Sequence, residues 1–368
     1  MSVTQTRTVK ISEAATLITR AFKKKRPVFL WGPPGIGKSE LVEGIGASGV
    51  LGNTYVIDMR LALFEPTDLR GYPAPDMANG KMVWLPPADL PSAEMAAEYD
   101  TVIMFLDELN SAAPSVQAAA YQLILNRRIG QYRLPDNVVI IAAGNRETDK
   151  GVTYRMPKPL ENRFVHFELR VDFQDWLNWA VDNRIDADVV GYLSFAKGDL
   201  YNFDANSSSR GFATPRSWTF VSEMLEGSDD LSDALQTDLV AGCVGEGIAI
   251  KFMSHRKIAG DLPSPEDVLD GKVSKMKSSE ISAMYAMATS LCYELRDRNI
   301  NGEREGKMDN YHKSYSNMIS FMMDNFETEM VIMASRIAMQ QYKLMPKQDK
   351  IERFDEYFNR YGRLVLDA

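Results

Sequence analysis

The chain has 368 residues, with 42 basic against 50 acidic side chains and a net charge of −8 at pH 7. That length suits two or three domains and buries roughly 75% of the surface of the unfolded chain, so no covalent staple is required. Two cysteines, Cys243 and Cys292, exclude a disulfide framework or a cysteine-rich zinc site, and the scattered His166, His255 and His312 form no HExxH pair. The longest apolar runs, Val102–Leu106 and Val138–Ala143, fall far short of the ~20 residues of a bilayer span. Met1 to Lys10 is polar and lacks the apolar core of a secretory signal, so a cytoplasmic location is expected. The acidic balance weighs against wholesale nucleic-acid binding.

From Met1 to about Arg170, short β-branched runs alternate with helical patterns, which predicts a parallel α/β sheet. A first helix over Ser12–Ala21 carries Ala15, Leu17, Ile18 and Phe22 on one side. Strands are predicted at Pro27–Trp31, Thr54–Asp58, Val102–Asp107 and Val138–Ala143. From Asp172 to Ile258 amphipathic helices replace strands, and Asp261-Leu262-Pro263-Ser264-Pro265 reads as a linker. Beyond it Ile281, Met284, Ala288, Leu291 and Leu295 share a helix face, with Asn301-Gly302 as its stop. Helices at Tyr311–Phe326 and Glu329–Tyr342 precede a charged terminal segment.

The strongest chemical signal lies after the first of those strands. Gly32-Pro33-Pro34-Gly35-Ile36-Gly37-Lys38-Ser39 fits G-x-x-x-x-G-K-[ST], with Glu40 following in the first helical turn. The glycines let main-chain amides curl around phosphates, and the helix begun near Lys38 aims its positive end at them. Lys38 is expected to contact the β- and γ-phosphates and the Ser39 hydroxyl to ligate Mg²⁺. Such a loop reads phosphates and not the base, so it does not separate ATP from GTP. A second apolar strand ends in Asp107-Glu108. Asp107 is expected to hold Mg²⁺ through water, and Glu108 to polarise an attacking water.

Asp107-Glu108-Leu109-Asn110, the helix Ser115–Asn126 and Ile140-Ile141-Ala142-Ala143-Gly144-Asn145 together resemble AAA+ ATPases of the MoxR type. The resemblance covers about Val9 to Phe220. It implies that Asn145 is the sensor-1 residue that orients the lytic water. It also implies that Arg163, in Leu160-Glu161-Asn162-Arg163-Phe164, reaches the γ-phosphate of a neighbouring subunit, with Arg155 or Arg146 as alternatives. Asn162 departs from the Asp or Ser commoner there. Thr214-Pro215-Arg216 is similar to the family's S-P-R segment, which makes Arg216 the sensor-2 residue. Glu65–Gly71 and Gly80–Pro87 resemble the family's D-L-x-G motif and helix-2 insertion, and Arg128–Leu134 its next hairpin. In ring-forming relatives both features touch substrate, while the Trp84 segment reads equally as an edge hairpin packed on the sheet.

The expected architecture is therefore an αβα P-loop NTPase core of AAA+ type (1–170), an all-helical lid (171–262) and a helical C-terminal extension (263–368). The resemblance implies an ATPase using ATP and Mg²⁺, assembled as a homo-oligomeric ring, a hexamer, that remodels or matures a protein client. It also implies a partner with a von Willebrand factor A-type domain. Two alternatives stand beside it: a nucleic-acid motor using Arg127, Arg128 and Arg133 on phosphates, and a nucleotide switch with negligible turnover.

Overall fold

The computed structural model describes residues 7–149, 153–204, 209–260, 262–276, 278 and 280–366. Asp261, at the start of the expected linker, lies outside them. Two compact units result, Met1–Asp175 and Trp176–Ala368. The first begins β1 (Thr8–Val9), α1 (Ile11–Phe22), β2 (Val28–Trp31), α2 (Lys38–Ala47), β3 (Thr54–Arg60), α3 (Pro66–Arg70), β4 (Tyr72–Asp76) and β5 (Lys81–Leu85). It continues α4 (Ala93–Ala96), β6 (Thr101–Asp107), α5 (Pro114–Asn126), β7 (Arg128–Ile129), β8 (Tyr132–Arg133), β9 (Val138–Gly144), α6 (Lys158–Glu161) and β10 (Val165–Leu169).

Six strands form one parallel sheet in the order β1-β10-β2-β9-β6-β3. Val102–Leu106 of β6 and all of β9 are buried, which is why they read as unbroken apolar runs: both faces of a central parallel strand are covered. Their side chains join Phe29, Leu109, Val116 and Leu123 in one core between sheet and helices. The register aligns Trp31 with Gly144 and Leu106 with Ala142, so β2, β9 and β6 end together at one sheet edge.

All four expected strands are present, and β3 runs two residues further, to Arg60. Two more complete the sheet. β1 has only two residues, and β10 alternates Val165, Phe167 and Leu169 with His166 and Glu168, so neither offers an apolar run. In α1 the buried line is Ala14, Ile18 and Phe22, while Leu17 faces solvent. The Trp84 segment forms neither an added edge nor part of the main sheet. β4 and β5 pair antiparallel as a separate ribbon, and Tyr72, Met77, Met82 and Leu85 are exposed on it. β7 and β8 form the expected second hairpin.

Among the described residues the second unit is helical, apart from one isolated bridge between Asn202 and Ala213. Its main elements are α7 (Phe173–Asp182, begun in the first unit), α8 (Ala187–Phe195), α9 (Pro215–Leu225), α10 (Asp233–Val244), α11 (Glu246–Gly260), α12 (Pro265–Leu269), α13 (Ile281–Glu305), α14 (Met308–Asn325) and α15 (Thr328–Arg336). α13 packs along α8 and against α14, so the helices on either side of the Pro263 segment share one core. Asn301-Gly302 does not stop α13. Gly302 is buried, and a Cβ there would sit 3.2 Å from Met308 Sδ, so the glycine serves the close approach of α14. The helix ends instead at Gly306, in the left-handed conformation that favours glycine. The charged terminal segment is also helical in part, burying Tyr357, Tyr361 and Val365 at four-residue spacing.

Candidate functional site

The loop Gly32–Gly37 joins β2 to α2 at the carboxyl edge of the sheet. Gly35 and Gly37 take φ of 75° and 95°, which costs a glycine little and a side chain more. With this backbone the N-terminus of α2, including Lys38, Ser39 and Glu40, starts beside the ends of β9 and β6. Gly32 and Pro33 are buried, Ile36 is buried beneath the loop, and Pro34, Lys38 and Ser39 are half-buried.

The three loops are joined by hydrogen bonds. Lys38 Nζ donates to the carbonyls of Gly32 (2.7 Å) and Pro33 (3.0 Å) and to Asn145 Oδ1 (3.1 Å). The Ser39 hydroxyl donates to Asp107 Oδ2 at 3.4 Å, and Asp107 Oδ1 accepts from the Glu108 amide at 2.8 Å. Glu108 holds φ 54° and ψ 33°, a left-handed conformation that costs a non-glycine residue roughly 1–2 kcal/mol. Its side chain is exposed at the same edge. On the adjoining strand Asp58 is pushed above the usual carboxylate range, first by burial and then by the charge of Asp107.

One residue carries no role in the sequence reading yet connects these groups. Asn110, 2% exposed, donates from Nδ2 to the Asn145 carbonyl at 2.7 Å. Its main-chain carbonyl accepts from the Tyr154 amide at 2.7 Å, and its Oδ1 is buried with no partner. A Cβ on Gly144 would meet that Oδ1 at 2.2 Å, so only glycine permits this approach. Asn110 thus ties the segment after β6 to the segment after β9, and Asn145 in turn reaches Lys38. The D-E-x-N spacing marks Asn110 in the sequence, but its partner lies 35 residues away.

The arginines are placed elsewhere. Arg163 is exposed two residues before β10, whose first residue pairs with Val28 at the start of β2. The phosphate loop follows the other end of β2, about 13 Å away along the strand at ~3.3 Å per residue. Of the alternatives, Arg146 is engaged by Asp149 (3.0 Å) and Glu168 (3.4 Å), and Arg155 is exposed. Arg216 lies in the second unit, exposed in the first turn of α9. There Thr214 caps the helix by accepting from the Ser217 amide at 3.1 Å, and Pro215 occupies its first position.

The donor set suits a magnesium–nucleoside triphosphate. The N-terminus of α2 offers main-chain amides beside the Lys38 ammonium, donors of the kind phosphate oxygens take, and the Ser39 hydroxyl and Asp107 carboxylate meet as oxygen ligands of the kind a hard cation takes.

Residues 27–164 match the family model described as the AAA domain, dynein-related subfamily. The chain is 28% identical over 187 residues to midasin of Giardia intestinalis; the match takes in 49% of this chain and 4% of midasin's length. Among solved structures it is similar to the Holliday junction branch migration motor RuvB of Thermotoga maritima, at 17% identity, covering 76% of this chain and 80% of RuvB with a TM-score of 0.35. It is also similar to NtrX of Brucella abortus, at 14% identity, covering 86% and 63% of the two chains with a TM-score of 0.39. The matched segment, residues 27–164, takes in the phosphate loop, the acidic strand end and four of the six strands of the parallel sheet, and is similar there to an AAA domain of the dynein-related subfamily.

Proposed function

We propose that the chain is an ATP-hydrolysing machine of the MoxR type that works as a ring, a hexamer, in the cytoplasm and remodels or matures a protein client. The observation that carries this reading is the bonded set Lys38–Asn145 and Ser39–Asp107 at the ends of three adjacent strands. In it Gly32–Ser39 and Glu40 hold ATP, Lys38 neutralises the β- and γ-phosphates, Glu108 takes the proton of the attacking water, and Asn145 orients that water. Ser39 and Asp107 hold Mg²⁺, which supplies charge neutralisation on the phosphates. Arg163 acts on a neighbouring subunit's ATP, a role supported by its place at the opposite sheet edge from its own phosphate loop. Arg216 acts as sensor 2 from a helical lid (171–262), and 263–368 form a helical C-terminal extension. The exposed apolar side chains of the β4–β5 ribbon supply a surface for the client, and a protein with a von Willebrand factor A-type domain is the proposed partner.

Mixing subunits tests the ring. Arg163→Ala and Glu108→Gln chains should each be inactive alone, and a mixture should recover part of the turnover, because an intact Glu108 site can face an intact Arg163. No recovery, with mixed assembly confirmed by mass, contradicts the trans role.

One observation favours the nucleic-acid motor as a second reading. Arg128 and Arg133 are exposed direct partners across the β7–β8 hairpin, where like charges repel unless an anion relieves them. Arg127 does not join them, because its Nη2 is turned inward to the carbonyls of Pro135 (2.7 Å) and Val138 (2.8 Å). Salt-sensitive stimulation of turnover by DNA would favour this reading, and its absence the protein client.

A further inference from the structure

A cavity of about 230 Å³ opens at the amino edge of the sheet, away from the phosphate loop. Its wall includes Lys25, Arg26, Arg127 and Arg163, together with Pro27 and Ile124, and no acidic residue. None of the ion pairs among the described residues involves any of these four cations. In a chain of net charge −8, four such groups around one opening are a local reversal of sign.

Helix ends account for only part of it. α1 and α5 both terminate at this cavity, and a helix C-terminus attracts cations with about half a negative charge. Two such ends offset about one positive charge and Asp136 acts further on Arg127, so the four cations exceed what the helix ends balance. Moreover, Lys25 and Arg127 hold φ of 50° and 51° at these helix ends, a conformation glycine adopts at far lower cost. The Lys25–Arg26 turn is fixed by main-chain bonds from the Arg26 amide to the Ala21 carbonyl (3.1 Å) and from the Lys25 amide to that of Phe22 (2.8 Å). Cations therefore stand, on a rigid turn, where the backbone alone favours glycine. Arg184 and Lys343 hold the same conformation without lining this cavity, so it is the gathering of four cations around one opening, and not the strain, that points to an anionic ligand.

We propose that Lys25 and Arg26 join Arg163 in one cationic cup that receives the terminal phosphates of ATP held by an adjacent copy of this chain. The inference rests on the ring reading and deepens it: the trans contribution is a cluster and not a single arginine. The two sheet edges are opposite in charge, since the carboxyl edge carries Asp58, Asp107 and Glu108 beside the proposed triphosphate site, and the amino edge carries the cup. Two different patches that fit head to tail generate a ring where the rotation between copies closes, which is the arrangement proposed here. Arg127, tied to two carbonyls, is the fixed rear wall of the cup, and burial pushes its pKa down, so an anion in front of it is favourable. Lys25, Arg26 and Arg163 are exposed and supply the reaching groups.

The test uses the full chain with Lys25→Gly and Arg26→Gln combined. Lys25→Gly removes the charge and relaxes the backbone, so the thermal midpoint should stay level or rise. Turnover should nevertheless fall about ten-fold or more, short of the ~10³–10⁵ attributed to a complete finger, with ATP affinity of the chain's own site unchanged. Mixing with Glu108→Gln chains should restore part of the turnover. If Arg163→Ala loses turnover and the double variant does not, the cup is overturned while the ring reading stands. A loss without rescue, in mixed assemblies confirmed by mass, also overturns it, since the cations would then act within their own chain. Stabilisation of wild type but not the double variant by millimolar inorganic phosphate, with turnover equal in both, assigns the cavity to a free anion instead. If neither Arg163→Ala nor the double variant changes turnover, the ring reading itself has failed.

Discussion

At the scale of single residues, the site divides into groups whose position is local and groups whose position depends on the fold. Lys38 belongs to the first kind. Its place follows from Gly35 and Gly37 and the helix they start, all within eight residues, so its role was legible in the sequence. Lys38→Ala should weaken ATP binding strongly, because it removes the side-chain charge that the loop offers to the β- and γ-phosphates. Near-normal affinity by titration calorimetry would remove the loop from the assignment. Asn110 is of the second kind, and its role was not legible, because its partner Asn145 is brought to it only by the pairing of β6 with β9. Asn110→Ala removes the bond that fixes the Asn145 main chain but also removes an orphaned buried oxygen, so the stability cost should stay near ~1 kcal/mol. Turnover should fall about ten-fold, roughly 1.4 kcal/mol in the barrier, with ATP affinity little changed, as expected of a positioning residue. Unchanged kcat would leave Asn110 a packing residue.

Elements were legible where burial is uniform and obscure where it is not. β6 and β9 declare themselves as apolar runs because helices cover both faces of the sheet. β1, with two residues, and β10, with His166 and Glu168 in its middle, carry too little apolar signal, and their pairing is set by the rest of the sheet. Gly302 misleads for a related reason: glycine stops helices and also admits close neighbours, and only the packing of α14 decides which. Where α8, α11 and α13 meet, His255 is 3% exposed, with Nδ1 on the Ser282 hydroxyl and Nε2 unpartnered among Tyr192 and Phe195. Burial alone pushes its pKa down from 6.5 to about 4. The native histidine thus stays neutral where the unfolded one protonates. Its contribution to stability is complete above about pH 6.5 and falls by up to ~1.4 kcal/mol per unit until about pH 4, where the native group protonates as well. The second unit should therefore lose thermal stability over that interval, and His255→Asn should flatten the slope. An identical slope in the variant would place the acid sensitivity elsewhere.

For the molecule as a whole, the parallel sheet sets both the chemistry and the proposed assembly. The six strands of the main sheet run the same way, so the loops after them gather at one edge and the segments before them at the other. The first edge holds Lys38, Ser39, Asp107, Glu108 and Asn145, and the second holds Arg163 and the cations around it. Arg163 and its own phosphate loop lie at opposite ends of β2, and the proposed ring is what would bring the two edges of neighbouring copies together. Hydrolysis of ATP at the first edge with Glu108 as the base is tested by measuring ATP affinity and ATP turnover together in Glu108→Gln. The amide keeps the size of the side chain and loses the base. Affinity should match wild type while turnover falls by at least ~100-fold, the lower bound of a general-base contribution. Turnover within a few-fold of wild type, at equal affinity, would contradict Glu108 as the base.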